Sequence, residues 1–136
     1  MDAWPLLTRI WRLQRALVEE ATPCIAEQGL SPKDLMLLAL VERIPHAGAL
    51  ARELHLPAPS VSHALKRLEG AGLVERRSDA SDLRRFVFEL TPRGREALAA
   101  GSDCLTRTMR ARLARLAPAE RSQLNHLLER LLEDDA

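Results

Sequence analysis

The sequence predicts a mainly α-helical protein with one small β-hairpin, and three observations lead to that prediction. Apolar residues recur at spacings of three and four along most of the chain, as on one face of an α-helix. Only 3% of the 136 residues are aromatic, so the core must be aliphatic, and Leu and Ala favour helices. Between residues 73 and 90 the period changes to two, which is typical of strands. The length and the 29% of charged residues indicate one soluble globular domain.

Two helices are expected in the first third of the chain. The first covers residues 3–28 and carries two neighbouring apolar stripes, which together are wider than one small domain needs to cover its own core. Pro23 should kink this helix or end it early, because its ring clashes with the preceding turn. The second helix covers residues 32–43, with Ser31 as its N-cap. It is apolar almost all round, so we expect it to be buried.

The middle of the chain predicts a helix-turn-helix followed by a hairpin. A short helix over residues 48–54 leads through a proline-rich turn into a helix over residues 59–71. Candidate strands at 73–78 and 85–90 follow, joined by a polar, turn-prone connector. A long helix is then expected from residue 92 to 116, with Gly101 as a weak spot, and a last helix begins at Pro118.

Polar and basic side chains concentrate on this middle segment, which makes it a candidate DNA-binding surface. An α-helix fits the major groove of B-DNA, and an arginine on a thin hairpin can reach phosphates or a narrow minor groove. Residues 57–95 carry eight basic against five acidic side chains, whereas residues 118–136 carry two against five. A plain surface helix and hairpin is the alternative, but the order of elements and the local charge favour DNA. The candidate contacts are Pro59, Ser60, Ser62, His63, Lys66, Arg67, Arg76, Arg77, Arg84 and Arg85.

The same segment resembles the MarR family of winged helix-turn-helix transcription regulators. The resemblance is carried by residues 50–54 (LAREL), residues 59–76 (PSVSHALKRLEGAGLVER) and residues 79–94. The last stretch contains the family's Asp-x-Arg pattern and its Leu-Thr-Pro-x-Gly pattern. These motifs cover about 45 residues, while the succession of helices is similar over the whole chain.

The resemblance implies a fold, an assembly and roles for several residues. It implies a single MarR-like domain over 1–136, with a DNA-binding lobe at 30–95 and dimerisation helices at 1–28 and 92–136. The helix at 59–71 would be the recognition helix, and Arg84 would enter the minor groove with its guanidinium held by Asp82. His63 and Leu83 stand where the family often has arginine, so base preference cannot be carried over. The implied dimer contacts are Leu6, Ile10, Leu13, Leu17, Leu124, Leu127, Leu128 and Leu131.

The first helix offers a candidate effector site, and the two cysteines are candidates for redox chemistry. Trp11 and Arg15 lie one turn apart, and the family binds small aromatic acids near its dimerisation helices, so this pair could stack on and pair with such a ligand. The alternative is that Trp11 belongs to the dimer core and Arg15 to the surface. Two cysteines without an export signal predict reduced thiols, with Cys104 in the core of the long helix. Redox sensing through Cys24 is a minor alternative, since Glu27 is its nearest charge in sequence.

The function expected is that of a cytoplasmic, homodimeric regulator that binds an inverted repeat in double-stranded DNA, most simply a repressor that an effector releases. A protein-interaction module with the same fold is the alternative. The four histidines and Cys24 lack metal-ligand spacing, so neither a metal nor a cofactor is expected. No phosphate loop or nucleophile motif indicates an enzyme. No apolar stretch approaches the 20 residues that would predict a membrane partner.

Overall fold

The computed structural model describes residues 1–133 and contains six helices and one two-stranded antiparallel sheet. This confirms the predicted fold class. The last three residues of the expected 92–136 segment lie outside the described residues. In chain order, the elements are α1 (Trp4–Glu27), α2 (Pro32–Leu40), α3 (Ala47–Leu54), α4 (Ala58–Gly70), β1 (Val74–Ser78), β2 (Phe86–Leu90), α5 (Pro92–Leu113) and α6 (Pro118–Leu132).

The core lies where α2, α3, α4 and the base of the hairpin meet α5 and the C-terminal end of α1. It is almost entirely aliphatic, and its largest fully buried apolar side chains are Ile25, Leu37, Leu38, Leu50, Leu65, Leu68, Val41, Val61 and Val74. Each such side chain contributes about 1.5–3 kcal/mol when it leaves water. This packing fixes α4 on α3 and thereby holds the helix-turn-helix as one rigid unit.

Caps explain where two helices begin. Ser31 accepts a hydrogen bond from the backbone amide of Asp34 at 3.1 Å, and the Asp34 carboxylate accepts one from the Ser31 amide at 2.9 Å. This capping box starts α2, as the sequence predicted for Ser31. Thr91 is the N-cap of α5, and its hydroxyl accepts a hydrogen bond from the amide of Gly94 at 3.0 Å.

Two glycines allow backbone or side chains to approach α5 closely. A Cβ on Gly94 would lie 2.0 Å from the carbonyl oxygen of Leu73, so no other residue fits beneath the hairpin. A Cβ on Gly101 would lie 2.6 Å from a methyl group of Leu35 on α2. Gly101 was expected to be a weak spot, but α5 continues through it. The tight contact with α2 explains why helix packing overrides its poor propensity.

Some element boundaries differ from those the sequence predicted. Pro23 lies inside α1, which continues unbroken to Glu27 because Ala21 and Ile25 are buried and hold the last turns against the core. α2 ends at Leu40, three residues earlier than expected, and its Met36 is half-exposed rather than buried. α4 begins at Ala58, and α5 ends at Leu113.

The prediction of reduced thiols is wrong in this structure, which bonds Cys24 to Cys104. Eighty residues separate the two cysteines, but the packing of α1 on α5 brings their Cα atoms to 5.8 Å. Cys104 is buried as expected, whereas Cys24 is only partly covered. Periodicity along the chain gives no sign of this pairing, because it depends on how two distant helices are aligned.

Apolar surface remains exposed on α1 and α6. Leu6, Ile10 and Leu13 are each at least 40% exposed, together with Trp4, Leu7 and Trp11, while Leu17 is half-buried. On α6, all of which is described, no residue is buried. Leu127, Leu128, Leu131 and Leu132 are exposed, and Leu124 is half-buried. No helix within residues 1–133 is both long enough and apolar enough to span a bilayer.

Candidate nucleic-acid interface

The outer face of α4 presents three polar side chains with no protein partner. Ser62, His63 and Lys66 are exposed, and none makes a hydrogen bond or an ion pair with any residue in the range 1–133. Val61, Ala64, Leu65 and Leu68 on the opposite face are buried. The sequence therefore predicted the orientation of this helix correctly. Pro59 is also exposed at its first turn, and Ser60 is half-buried.

Arg67 belongs to the same helix but is not free. Its guanidinium donates to the carboxylate of Asp34 on α2, and the Asp34 side chain is only 2% exposed while that of Arg67 is 48% exposed. Burial raises the pKa of Asp34, but the hydrogen bonds from Arg67 and Ser31 outweigh it and hold that pKa below its usual value. Arg67, which the sequence predicts as a base contact, ties α4 to α2 in this structure.

The hairpin extends beside α4, and we call residues 74–90 the wing. Val74 pairs with Leu90 and Ser78 with Phe86, so the strands are in regular antiparallel register. Phe88 and Leu90 point into the core, whereas Phe86, which lies on the same face of β2 by alternation, is 45% exposed. Phe86 is exposed because it lies at the outer end of the strand, beyond the edge of the core, where the guanidinium of Arg76 covers its ring at 4.3 Å.

The four wing arginines differ in whether they pair with carboxylates of the same chain. Arg77 lies 3.1 Å from Glu89 and is paired across the two strands, and Arg76 lies 3.6 Å from Glu69 of α4. Arg85 is exposed, and its side chain has no hydrogen-bond or ion-pair partner within the described part of the chain. Arg76 and Arg77 are therefore less available to an incoming ligand than the sequence suggested.

Arg84 lies at the tip of the wing, with 91% of its side chain open to solvent. Asp82 accepts hydrogen bonds from the Arg84 amide at 3.1 Å and from its Nε at 3.3 Å. The carboxylate therefore orients the guanidinium outwards, which is the contact that the family resemblance implied for Asp82.

A basic groove separates the wing from the helix-turn-helix. It has a volume of about 770 Å³, and its polar lining is mostly cationic: Arg52 from α3, Lys66 from α4, and Arg76 and Arg85 from the wing. Within the described residues, Arg52 has no ion-pair partner. A role for Arg52 was not predicted from the sequence, although its place within the LAREL motif was a signal that could have identified it.

His46 holds the outer end of the wing against the start of α3, a role that its sequence position did not reveal. Its Nδ1 lies 3.0 Å from the carbonyl oxygen of Phe86, and its Nε2 lies 3.5 Å from the carboxylate of Asp79. Asp79 also accepts from the hydroxyl and the amide of Ser81, at 2.7 and 2.9 Å. These hydrogen bonds, with smaller contributions from His46 and Arg85, hold the pKa of Asp79 below its usual value. Asp79 and His46 thus join the turn of the wing to the start of α3.

The predicted effector residues lie apart from this interface. Trp11 is half-exposed on α1 and meets Trp4 edge to face, with ring centroids 5.8 Å apart. Arg15 is exposed one turn further along α1. In a single chain neither residue lines a cavity among those found in residues 1–133.

Comparison with known proteins decides the family. Residues 28–85 match the model described as MarR family. The HTH-type transcriptional repressor Rv2887 of Mycobacterium tuberculosis H37Rv is 30% identical over 136 residues, which is 98% of this chain and 97% of that protein. The chain belongs to the MarR family. It is therefore a winged helix-turn-helix transcription regulator, and a family of transcription regulators is not a class of enzymes.

Two solved structures with bound ligands are similar to this chain. One is the transcriptional repressor CouR bound to a 23-mer DNA duplex, 26% identical, with a TM-score of 0.75 over 98% of this chain and 99% of CouR. The other is Rv2887 in complex with salicylic acid, 25% identical, with a TM-score of 0.74 over 90% of this chain and 92% of that chain.

Proposed function

We propose that this MarR protein is a homodimeric repressor that binds an inverted repeat in double-stranded DNA. The single observation that carries the proposal is the free polar face of α4 beside a basic groove and an outward-pointing Arg84. A helix with unpartnered donors suits base edges in the major groove, and cations around the groove suit the phosphates on either side. CouR, a structural relative, is bound to DNA.

The residues divide into three roles. Ser62, His63 and Lys66 would contact bases or the adjoining phosphates from α4. Arg52 and Arg85 would neutralise phosphates along the groove, and Arg84 would enter the minor groove. Arg67, held by Asp34, would position the recognition helix rather than read a base.

The homodimer follows from the exposed apolar surfaces of α1 and α6. So many exposed Leu and Ile side chains exceed what soluble monomers leave in water. A two-fold partner would cover them, since the same patch on two copies is self-complementary. Two recognition helices related by that axis would enter successive major grooves, so half-sites should be centred about 10 base pairs apart. A regulator that binds DNA must be in the compartment that contains the DNA, which supports a cytoplasmic location.

An aromatic acid is the proposed effector. Rv2887 has been solved with salicylic acid, and Trp11 with Arg15 offers a ring to stack on and a cation to pair with a carboxylate. If Trp11 belongs to the dimer core instead, replacing it will weaken the dimer. Titration calorimetry with salicylate on the wild type and on Trp11→Phe, with dimer mass measured in parallel, separates the two roles.

The test of DNA binding is a salt series with the DNA upstream of the protein's own gene. Affinity should fall steeply as salt rises, because Arg and Lys displace condensed counterions. Lys66→Ala should weaken binding and lower the slope of log K against log salt by about one. Lys33→Ala removes the same charge from α2, outside the basic groove, and should leave the slope unchanged. Weak binding even at low salt would refute the proposal and favour a protein-interaction module.

A further inference from the structure

His46 lies where the start of α3 meets the outer end of the wing. It is the N-cap residue of α3, but its side chain makes no capping hydrogen bond, although side chains at this position commonly accept one from the first turn. The imidazole faces the wing instead, and only 24% of it is exposed. The structure therefore uses this side chain to contact the wing rather than to cap the helix.

Both ring nitrogens of His46 face hydrogen-bond acceptors. Nδ1 lies 3.0 Å from the carbonyl oxygen of Phe86, and Nε2 lies 3.5 Å from a carboxylate oxygen of Asp79. A neutral imidazole has one N–H group and one lone pair, so it can donate to one of these acceptors while its lone pair faces the other. The imidazolium has two N–H groups and can donate to both. The arrangement is therefore fully satisfied only when His46 is protonated.

The charged groups around His46 come from α3, α4 and the wing. Asp79 is its direct partner, and hydrogen bonds from Ser81 hold the pKa of Asp79 below its usual value, so it is a carboxylate at neutral pH. The groove that His46 also lines holds one further carboxylate and four cations: Glu69, Arg52, Lys66, Arg76 and Arg85. The cations oppose a charge on the imidazole, and Asp79 favours it. Phosphates along the groove would neutralise these cations, so bound DNA and the proton should stabilise each other.

The wing is attached to the start of α3 by a backbone contact and by this histidine. Further in, the amide of Phe88 donates to the carbonyl oxygen of Pro45 at 2.9 Å, a bond that does not depend on pH. At the outer end, the imidazole contacts Asp79, whose amide donates to the carbonyl oxygen of Arg85 at 3.0 Å and so closes the loop that carries Arg84. The charge on the histidine therefore determines how firmly the tip of the wing is held.

We propose that His46 is a positioning residue for the wing, and that its protonation holds Arg84 in place for DNA and makes DNA affinity depend on pH. Histidine is the side chain whose charge ordinarily changes between pH 8 and pH 5. A wing that is held before binding loses less conformational freedom on the DNA, so the affinity rises. The effect on affinity rests on the proposed DNA binding, whereas the effect on the wing concerns the free protein.

The first test uses the full-length protein without DNA, at about pH 6 and about pH 8 and at constant ionic strength. Nitrogen NMR of the imidazole shows whether both ring nitrogens carry a proton, and amide relaxation reports the mobility of Arg84. At the lower pH, His46 should be doubly protonated and the Arg84 amide less mobile. The mobility should not depend on pH in His46→Gln. It should not do so in Asp79→Asn either, whose amide can still accept from Ser81 and can donate to a neutral ring.

The second test measures binding to the DNA upstream of the protein's own gene at the same two pH values. His63 on α4 also titrates in this range, so the measurements are made in His63→Gln. Affinity should be about fivefold higher at the lower pH for each wing that contacts DNA, as expected for one hydrogen bond to a charged group. Adding His46→Gln should remove this difference. Adding His55→Asn should retain it, because His55 is exposed at the other end of α3, and asparagine tolerates its φ of 52°.

The two tests fail in different ways. Mobility of Arg84 that is the same at both pH values in the wild type, or that still changes in His46→Gln, would overturn the proposal. So would a pH response of DNA affinity that survives His46→Gln or that disappears in His55→Asn. Absence of DNA binding at both pH values would refute the proposed function and the dependence of affinity on pH, while the NMR measurement would still decide whether His46 positions the wing.

Discussion

Replacing Asp34 by alanine should destabilise the folded protein by about 2–3 kcal/mol at neutral pH. The change removes one arm of the capping box at the start of α2, which contributes about 1 kcal/mol. It also removes the charge-assisted hydrogen bond to Arg67, which in a buried setting contributes about 1.5–3 kcal/mol. Because 48% of the Arg67 side chain is exposed and can be solvated after the loss, the lower end of that range applies.

A double-mutant cycle isolates the ion pair from the cap. Asp34→Ala, Arg67→Ala and the double variant are unfolded in urea, and the coupling energy should be about 1–2 kcal/mol. The same cycle on Glu42 and Arg95, which join the turn after α2 to α5 at 2.9 Å but are both more than half exposed, is the matched control. Its coupling should be at most about 0.5 kcal/mol. Equal coupling in the two cycles would refute the view that burial of Asp34 makes its pair the stronger one.

At low pH the Asp34 carboxylate should no longer contribute to the stability of the folded protein. In the folded state the pKa of this carboxyl is held below its ordinary value of 3.8, so its contribution to stability is present above that value and is lost as pH falls through the lower, folded pKa. The stability difference between the wild type and Asp34→Ala should therefore narrow below about pH 4. A difference that stays constant into strong acid would show that the carboxylate charge contributes nothing.

Three further substitutions test the wing, the dimer and the packing of α5. Arg84→Ala should weaken binding to all DNA sequences and lower the slope of log K against log salt by about one. It should not reduce stability, because the side chain lies in solvent. Wild-type affinity in this variant would exclude the wing from the interface. Leu127→Glu should split the dimer in sedimentation and abolish operator binding, and a wild type that sediments as a monomer at micromolar concentration would contradict the assembly. Gly101→Ala should lower the free energy of unfolding by about 1–3 kcal/mol, because its Cβ would overlap Leu35. The control is Gly70→Ala, whose Cβ would meet no atom within 4 Å. Thermal melts of both variants should show that this control is as stable as the wild type or more stable.

The order of elements could be predicted from the sequence because it depends on local patterns. The apolar period, the Ser31 and Thr91 caps and the change to a period of two all act within a few residues. The buried face of α4 follows from the same spacing, which is why Ser62, His63 and Lys66 were placed correctly in solvent.

Contacts between residues distant in sequence could not be predicted in this way. Asp34 and Arg67 are 33 residues apart, and each has an ordinary local role: one as a helix cap, the other as a basic residue on an exposed face. Which arginine of a basic helix is tied down depends on the carboxylate that the neighbouring helix presents. Cys24 and Cys104 show the same limit, since only the alignment of α1 with α5 brings them together.

No residue of α6 is buried within a single chain, so we expect the folding of this helix to depend on protein concentration. A 15-residue helix on its own is marginal in water, so in the proposed dimer α6 would gain most of its stability from the second chain. Dilution should then loosen α6 before the DNA-binding lobe unfolds, and the melting temperature should rise with protein concentration. Such a dimer would respond to its own concentration. At low concentration the chains would be monomers and would lose the avidity that binding two half-sites provides.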